Sequence, residues 1–182
     1  MKNLKRLLIF GDRRIFHICN TKLSCRTLDF IMPRITDLGS LIFSGLFPLV
    51  LIVLNIGRTR NLGIEMLASL SFSQVFVQLL KRTLTRERPY KILENIRTFD
   101  ITLKDYSFPS GHTTASFSMA TILSYYLPQF LILFIAIALL VGISRIYLAV
   151  HYPSDVIVGI VLGILSSVIT HLYFANYIFK PI

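Results

Sequence analysis

The chain has 182 residues, 54% of them hydrophobic and 15% charged, with a formal net charge of +10 and a mean hydropathy of +0.67. Its apolar residues come in long blocks, which excludes an ordinary water-soluble domain and marks a membrane protein. The positive charge does not point to nucleic acid: eight of the basic residues lie in the stretch ending at Arg34 and seven between Lys81 and Lys104, flanking apolar blocks. There, membrane lipids and lipid phosphates are the expected partners, and no soluble module offers the basic face with aromatic platforms of a nucleic-acid binder.

In chain order, MKNLKRLLIFGDRRIFHICN comes first. Its apolar core stops at Phe10 and GDRR follows at once, so it reads as a retained segment rather than a cleavable signal. Leu4, Leu7, Leu8, Ile15, Ile18 and Cys19 share one helical face, with Lys2, Lys5, Arg6, Arg13 and Arg14 largely on the other. That pattern predicts an amphipathic helix lying in the lipid interface. Residues 1–36 are assigned to this interfacial segment and 37–182 to a single transmembrane domain. Cys19 and Cys25 have no metal-ligand spacing and are given no role.

Four apolar blocks follow: Leu38 to Ile56, Ile64 to Leu80, Phe130 to Val150, and Val156 to Ala175. A fifth segment, Thr113 to Leu127, is rich in Ser and Thr but is joined to the next block only through Pro128 and Gln129, as in a tight helical hairpin. The predicted fold is all-α, a bundle of about five transmembrane helices with an interfacial helix at the N-terminus. The one long connection, Lys81 to Ser110, has the length of a functional loop.

Three polar stretches sit at helix ends. KRTLTRERPY puts Lys81 at the end of the second span, with Arg88 seven residues on; by itself this fits basic residues snorkelling to the interface. FPSGHTT starts the third span: Ser110 is a good N-cap, Gly111 lets a ligand approach the backbone, and His112 is titratable. Helix N-termini bind anions, although Ser-Gly can also serve as a simple cap. SRIYLAVHYPSD carries Arg145 inside an apolar block, at an insertion cost of roughly 2.5 to 3.5 kcal/mol. His151 lies at the following turn and Asp155 in the first turn of the last helix, where it can orient the imidazole or act only as a helix-start charge. Spans two and four run the same way, so Lys81, Arg88, Ser110, His112, Arg145, His151 and Asp155 emerge on one membrane face. Cations, a hydroxyl at a helix N-terminus and two histidines form a set suited to phosphoryl transfer.

With its three motifs K-x6-RP, PSGH and SR-x5-H-x3-D filled in order at Lys81 to Pro89, Pro109 to His112 and Ser144 to Asp155, the sequence resembles the type-2 phosphatidic acid phosphatase superfamily of integral membrane lipid phosphatases. The resemblance implies that His151 attacks phosphorus, that Asp155 orients its ring, and that His112 protonates the leaving oxygen and then activates water. Lys81, Arg88, Ser110, Gly111 and Arg145 would bind the phosphoryl oxygens. No metal or other cofactor is implied. The compact chain is similar to small bacterial members acting on undecaprenyl diphosphate, with a phosphatidylglycerophosphate or phosphatidate phosphatase as the alternative. Rival classes are a non-catalytic protein binding anionic lipids, which would not need the histidines and the acid, and a vanadate-dependent haloperoxidase, which would be soluble. Positive charges place the long loop in the cytoplasm, whereas the resemblance places the catalytic face of this multi-pass protein outside it. The second expectation is preferred, because several of those cations are required by the phosphate.

Overall fold

The computed structural model of the protein describes residues 11–178, in which helices and loops occur and no strand does. The chain is helical over residues 11–22, then forms α1 (Arg26–Thr36), a short turn (Asp37–Gly39), α2 (Leu41–Leu54), α3 (Thr59–Leu84), one turn of helix (Pro89–Ile92), α4 (Gly111–Tyr126), α5 (Leu131–Tyr147) and α6 (Pro153–Tyr173). Three segments are long and apolar enough to cross a membrane: Thr59–Ile92, Pro128–Tyr147 and Pro153–Ile178. The first expected span is instead the second half of a pair, α1 with its turn and α2, bent by 54°.

The bend has a local cause. Ser40 is extended, and its side chain accepts a hydrogen bond from Phe43 N at 3.2 Å, so a new helix starts there. Gly39 is pressed against α4; a Cβ would come within 2.7 Å of the His112 carbonyl oxygen and 2.8 Å of Val141 Cγ1. The break therefore seats the turn and α2 against α4, while α1 packs on α5. At 14 residues α2 is about 21 Å long, short of the bilayer core.

The Ser- and Thr-rich α4 is the central post, packed against α3, α5 and α6. Residues Thr113 to Ala120 are all buried, so this part of the helix is shielded from lipid and its low hydropathy carries no penalty. Leu62, Met66 and Leu70 of α3 pack on its Ala115, Met119 and Ile122. Elsewhere it is joined by hydroxyls: Ser118 Oγ donates to Ser73 Oγ at 3.2 Å, and Ser167 Oγ donates to the Ser118 carbonyl at 3.1 Å. Outward-facing Leu41, Val53, Val75 and Ile132 are exposed, as a lipid-facing surface requires.

The helical segment over residues 11–22 turns Phe16 and Asn20 inward. Phe16 packs with Ile146, Ala149 and Val156, while Asn20 Nδ2 donates to the carbonyls of Arg97 (2.9 Å) and Tyr147 (2.8 Å). Ile15 and Ile18, from the apolar face read in the sequence, lie on its exposed side; Leu4, Leu7 and Leu8 fall outside the described residues. The long loop is fastened as well. Tyr90 OH bonds both backbone groups of Leu103, at 3.0 and 3.1 Å, and Arg97 Nη2 meets Asp29 Oδ2 at 2.6 Å.

α6 crosses α4 at Gly159 and Gly163, one helical turn apart, and a Cβ at Gly163 would stand 2.6 Å from the Thr114 carbonyl oxygen and 2.8 Å from Phe117 Cβ. Gly163→Ala should therefore force the two helices apart and destabilise the protein by about 1 to 3 kcal/mol. Thermal unfolding in detergent measures it. An unchanged midpoint would mean that the crossing yields without cost.

Candidate active site

The end of α3, the start of α4, and the turn between α5 and α6 meet at one end of the bundle. All eight residues singled out in the sequence lie there. Ser110 caps α4, accepting from Thr113 N at 3.4 Å and bonding Thr113 Oγ1 at 2.8 Å. Its own amide donates to the Asp155 carbonyl at 3.1 Å, which locks the starts of α4 and α6 together. Pro153 opens α6, and the Asp155 carboxylate folds back to accept from Tyr152 N at 2.8 Å.

His151 is fully enclosed between these elements. Its Nε2 is 3.3 Å from Arg88 Nη1, and its Nδ1 is 3.5 Å from Ser107 Oγ and 3.6 Å from Asp155 Oδ2. A guanidinium can only donate, so this contact assigns the lone pair to Nε2 and the proton to Nδ1, the side of Ser107 and Asp155. Ser107 Oγ donates to Asp155 Oδ2 at 2.5 Å and so remains able to accept from Nδ1. Burial pushes the His151 pKa down to about 3; the nearby Asp155 carboxylate opposes the shift, and the charges of Arg145 and Arg88 reinforce it. The imidazole is therefore neutral near pH 7, the form a nucleophile needs.

The cations are buried around it. Arg88 is held by the carbonyls of Val150 (2.8 Å), Asp105 (3.0 Å) and Tyr106 (3.2 Å). Arg145, 3% exposed, gives one Nη1 bond to Thr36 Oγ1 at 2.6 Å. Its Nε is buried and has no partner among the described residues. His112 stands near enough to feel the charges of Arg145, Lys81 and Arg88. A cavity of about 430 Å³, lined in part by His112, Gly111, Lys81 and Asp105, extends from this point between α2 and α3. At Gly111 a Cβ would meet nothing nearer than 3.6 Å, so the protein itself leaves room beside that amide. Among the described residues, no group of three or more His, Cys, Asp or Glu is arranged to hold a metal ion.

Four participants were not read from the sequence. Ser107 bridges the imidazole and its acid, and Thr36 from α1 holds Arg145. Arg86 Nη1 donates to Asp155 Oδ1 at 2.6 Å. Asp105 bonds Lys81 Nζ through Oδ2 and Arg88 Nη2 through Oδ1, the latter at 2.6 Å. Arg86 lies between Lys81 and Arg88 in sequence and looked like another interfacial cation. Asp105 and Ser107 shortly precede the Pro-Ser-Gly-His stretch, yet local spacing carries no sign of their partners.

The PAP2 superfamily profile matches residues 62–179, which include all eight residues singled out in the sequence. The chain belongs to the PAP2 superfamily. Among its relatives, undecaprenyl-diphosphatase of Sulfolobus acidocaldarius is 34% identical over 117 residues, 64% of this chain and 57% of that protein. Phosphatidylglycerophosphatase B of Bacillus subtilis is 33% identical over 153 residues, 76% of this chain and 71% of that protein. The crystal structure of a transmembrane PAP2-type phosphatidylglycerolphosphate phosphatase from Bacillus subtilis aligns with a TM-score of 0.80 at 26% identity, covering 96% of this chain and 90% of that one. The chain spans about half the length of the first curated PAP2 relatives it matches. That structure is of a transmembrane protein, and with the apolar helices described above it supports a multi-pass membrane protein.

Asp105 is an anion resting on two of the cations expected to bind phosphate. Partial burial works against its charge, but the Lys81 hydrogen bond and charge, with Arg88, outweigh it and hold the carboxyl at about 2. A phosphate would compete with it for both partners. Asp105→Asn should therefore tighten binding of inorganic phosphate and vanadate by about an order of magnitude, measured by titration of the detergent-purified protein. Unchanged affinity would make Asp105 a permanent counter-ion rather than a competitor.

Proposed function

We propose that this protein is a membrane lipid phosphatase that cleaves a lipid phosphate or diphosphate through a phosphohistidine at His151. The observation that carries the reading is the neutral, buried imidazole, with its lone pair on Nε2 and its other nitrogen facing Ser107 and Asp155, beside the unpartnered Nε of Arg145. An anionic-lipid binder would need the cations but has no use for this arrangement.

In the first step Nε2 attacks phosphorus, a P–N bond forms and the P–O bond to the lipid breaks. His112 gives its proton to the departing oxygen. Asp155 balances the positive charge that the phosphorylated imidazole acquires while Nδ1 keeps its proton. In the second step His112 takes a proton from water, the hydroxyl attacks phosphorus, and the P–N bond breaks to release inorganic phosphate. Arg145 Nε, Lys81 and Arg88 stabilise the charge growing on the phosphoryl oxygens, together with Ser110 and the Gly111 amide at the start of α4. Lys81 and Arg88 become available as Asp105 yields. No step needs a metal ion or a cofactor.

The cavity supports a lipid substrate. It is bordered by lipid-facing helices, and Ser71, Gln74, Gln78 and Lys81 follow one face of α3 from the bilayer side to the reacting centre. A row of polar groups longer than one phosphate suits a head group that continues beyond the first phosphorus. On this ground, and with an undecaprenyl-diphosphatase among the relatives, undecaprenyl diphosphate is the preferred substrate. Phosphatidylglycerophosphate is the second reading, favoured by the Bacillus relative and its longer coverage of this chain; phosphatidate is a smaller glycerolipid alternative. The catalytic face is assigned to the extracytoplasmic side, residues 1–36 to an interfacial segment and residues 37–182 to the transmembrane domain.

Phosphate release from undecaprenyl diphosphate, phosphatidylglycerophosphate and phosphatidate, side by side in detergent, tests the reading. The expected result is a preference for the diphosphate, inhibition by vanadate, and a loss of at least about 1,000-fold in His151→Gln. Turnover surviving in that variant would remove His151 from the nucleophile role. For the orientation, Glu94→Cys in a background lacking Cys19 and Cys25 should react with an impermeant thiol reagent in intact cells. Labelling only after lysis would reverse the assigned sidedness.

A further inference from the structure

The two oxygens of Asp155 have separate surroundings. Oδ2 faces the reaction, with Ser107, the Tyr152 amide and His151 Nδ1 around it. Oδ1 is held by Arg86 Nη1 at 2.6 Å. A long arginine that is partly exposed could not fix a carboxylate unless it were fixed itself. Here it is anchored three more times: Nη1 to Ser154 Oγ at 2.7 Å, Nη2 to Asp12 Oδ2 at 2.7 Å, and its Cζ 3.9 Å over the Tyr152 ring.

Asp12 comes from the helical segment at 11–22, and it is buried. It also accepts from both donors of Ser154, the amide at 2.8 Å and the hydroxyl at 2.6 Å. The N-terminal segment thus supplies a carboxylate to the first turn of α6 and to the arginine behind the catalytic acid. Charge points the same way. One guanidinium shared between Asp12 and Asp155 leaves the cluster a net negative charge, so Asp155 can still balance the cationic imidazole of a phosphohistidine.

We propose that Arg86 and Asp12 are positioning residues for Asp155: Asp12 orients Arg86, Arg86 pins Oδ1, and Oδ2 is thereby kept directed at His151. The segment over residues 11–22 is then part of the catalytic apparatus as well as a cover on the bundle. The proposal rests on the phosphatase reading above. It adds two residues that touch neither the substrate nor the imidazole and that act only through the acid.

The test is steady-state hydrolysis by the purified wild type, Arg86→Gln, Arg86→Lys and Asp12→Asn, with the unfolding midpoint of each. Misdirecting the acid should lower kcat by about 100-fold in Arg86→Gln while KM stays within about twofold, because reacting geometry is lost and phosphate binding is not. Arg86→Lys should recover most of that loss, and Asp12→Asn should lower kcat by about tenfold. A folded Arg86→Gln protein with wild-type kcat would overturn the role. So would a loss appearing mainly in KM, which would make Arg86 a phosphate ligand, or equal losses in Arg86→Gln and Arg86→Lys. Should neither Arg86 variant fold, Asp12→Asn decides: wild-type kcat there overturns the proposal. A wild type inactive on every lipid would remove the phosphatase reading itself, and the positioning role with it.

Discussion

Three cations buried at one end of an otherwise apolar bundle set the terms for the rest of this structure. Lys81, Arg88 and Arg145 each lose hydration there, a penalty of several kcal/mol per ion unless acceptors replace the water. The fold supplies those acceptors from distant places. The long loop brings the Asp105 carboxylate and the carbonyls of Asp105 and Tyr106, the turn after α5 brings the carbonyl of Val150, and α1 brings the Thr36 hydroxyl. The bend at Ser40 and the fastening of the loop through Tyr90 and Arg97 belong to the same solution, since either element left loose would strip a buried charge of its partners. Among the described residues, Arg145 Nε, inside the site, is left without a partner.

The central helix connects this charged end to the rest of the bundle. The first turns of α4 carry mostly small side chains, so α6 can approach it at Gly159 and Gly163, and the bend at Gly39 can rest on the His112 carbonyl. The starts of α4 and α6 touch through the Ser110 amide and the Asp155 carbonyl. Two helix N-termini, one carrying His112 and the other following His151, are therefore set relative to each other by backbone contact rather than by flexible side chains. Such rigidity matters for proton transfer and nucleophilic attack, where reacting groups must be held within a fraction of an ångström.

Behind the imidazole the same logic continues outward in layers. Ser107 and the Tyr152 amide hold one oxygen of Asp155, and Arg86 holds the other. Asp12 then holds Arg86 and the first turn of α6. Each layer comes from a different part of the chain. The acid is thus over-determined, while the phosphate pocket in front of it stays open to the cavity between α2 and α3.

The sequence by itself determined the all-α membrane class, because apolar block length and charge placement are local properties. It also marked the eight residues that the fold gathers at one end of the bundle, because each of the three motifs lies within one helix end and its turn, so that type and spacing suffice to single it out. Hydropathy was a poor guide to α4, whose burial by other helices is invisible in its own composition, and to the first span, whose bend depends on what Gly39 meets. Only the tertiary structure decided that Arg86 goes to Asp155, Asp105 to Lys81 and Arg88, Thr36 to Arg145, and Asp12 to the far side of the acid. Most of these partners are tens of residues or more apart along the chain, up to 142 between Asp12 and Ser154. The physical reason is that a buried charge takes whichever acceptor the packing delivers, and packing is settled by contacts between helices, which no local pattern encodes.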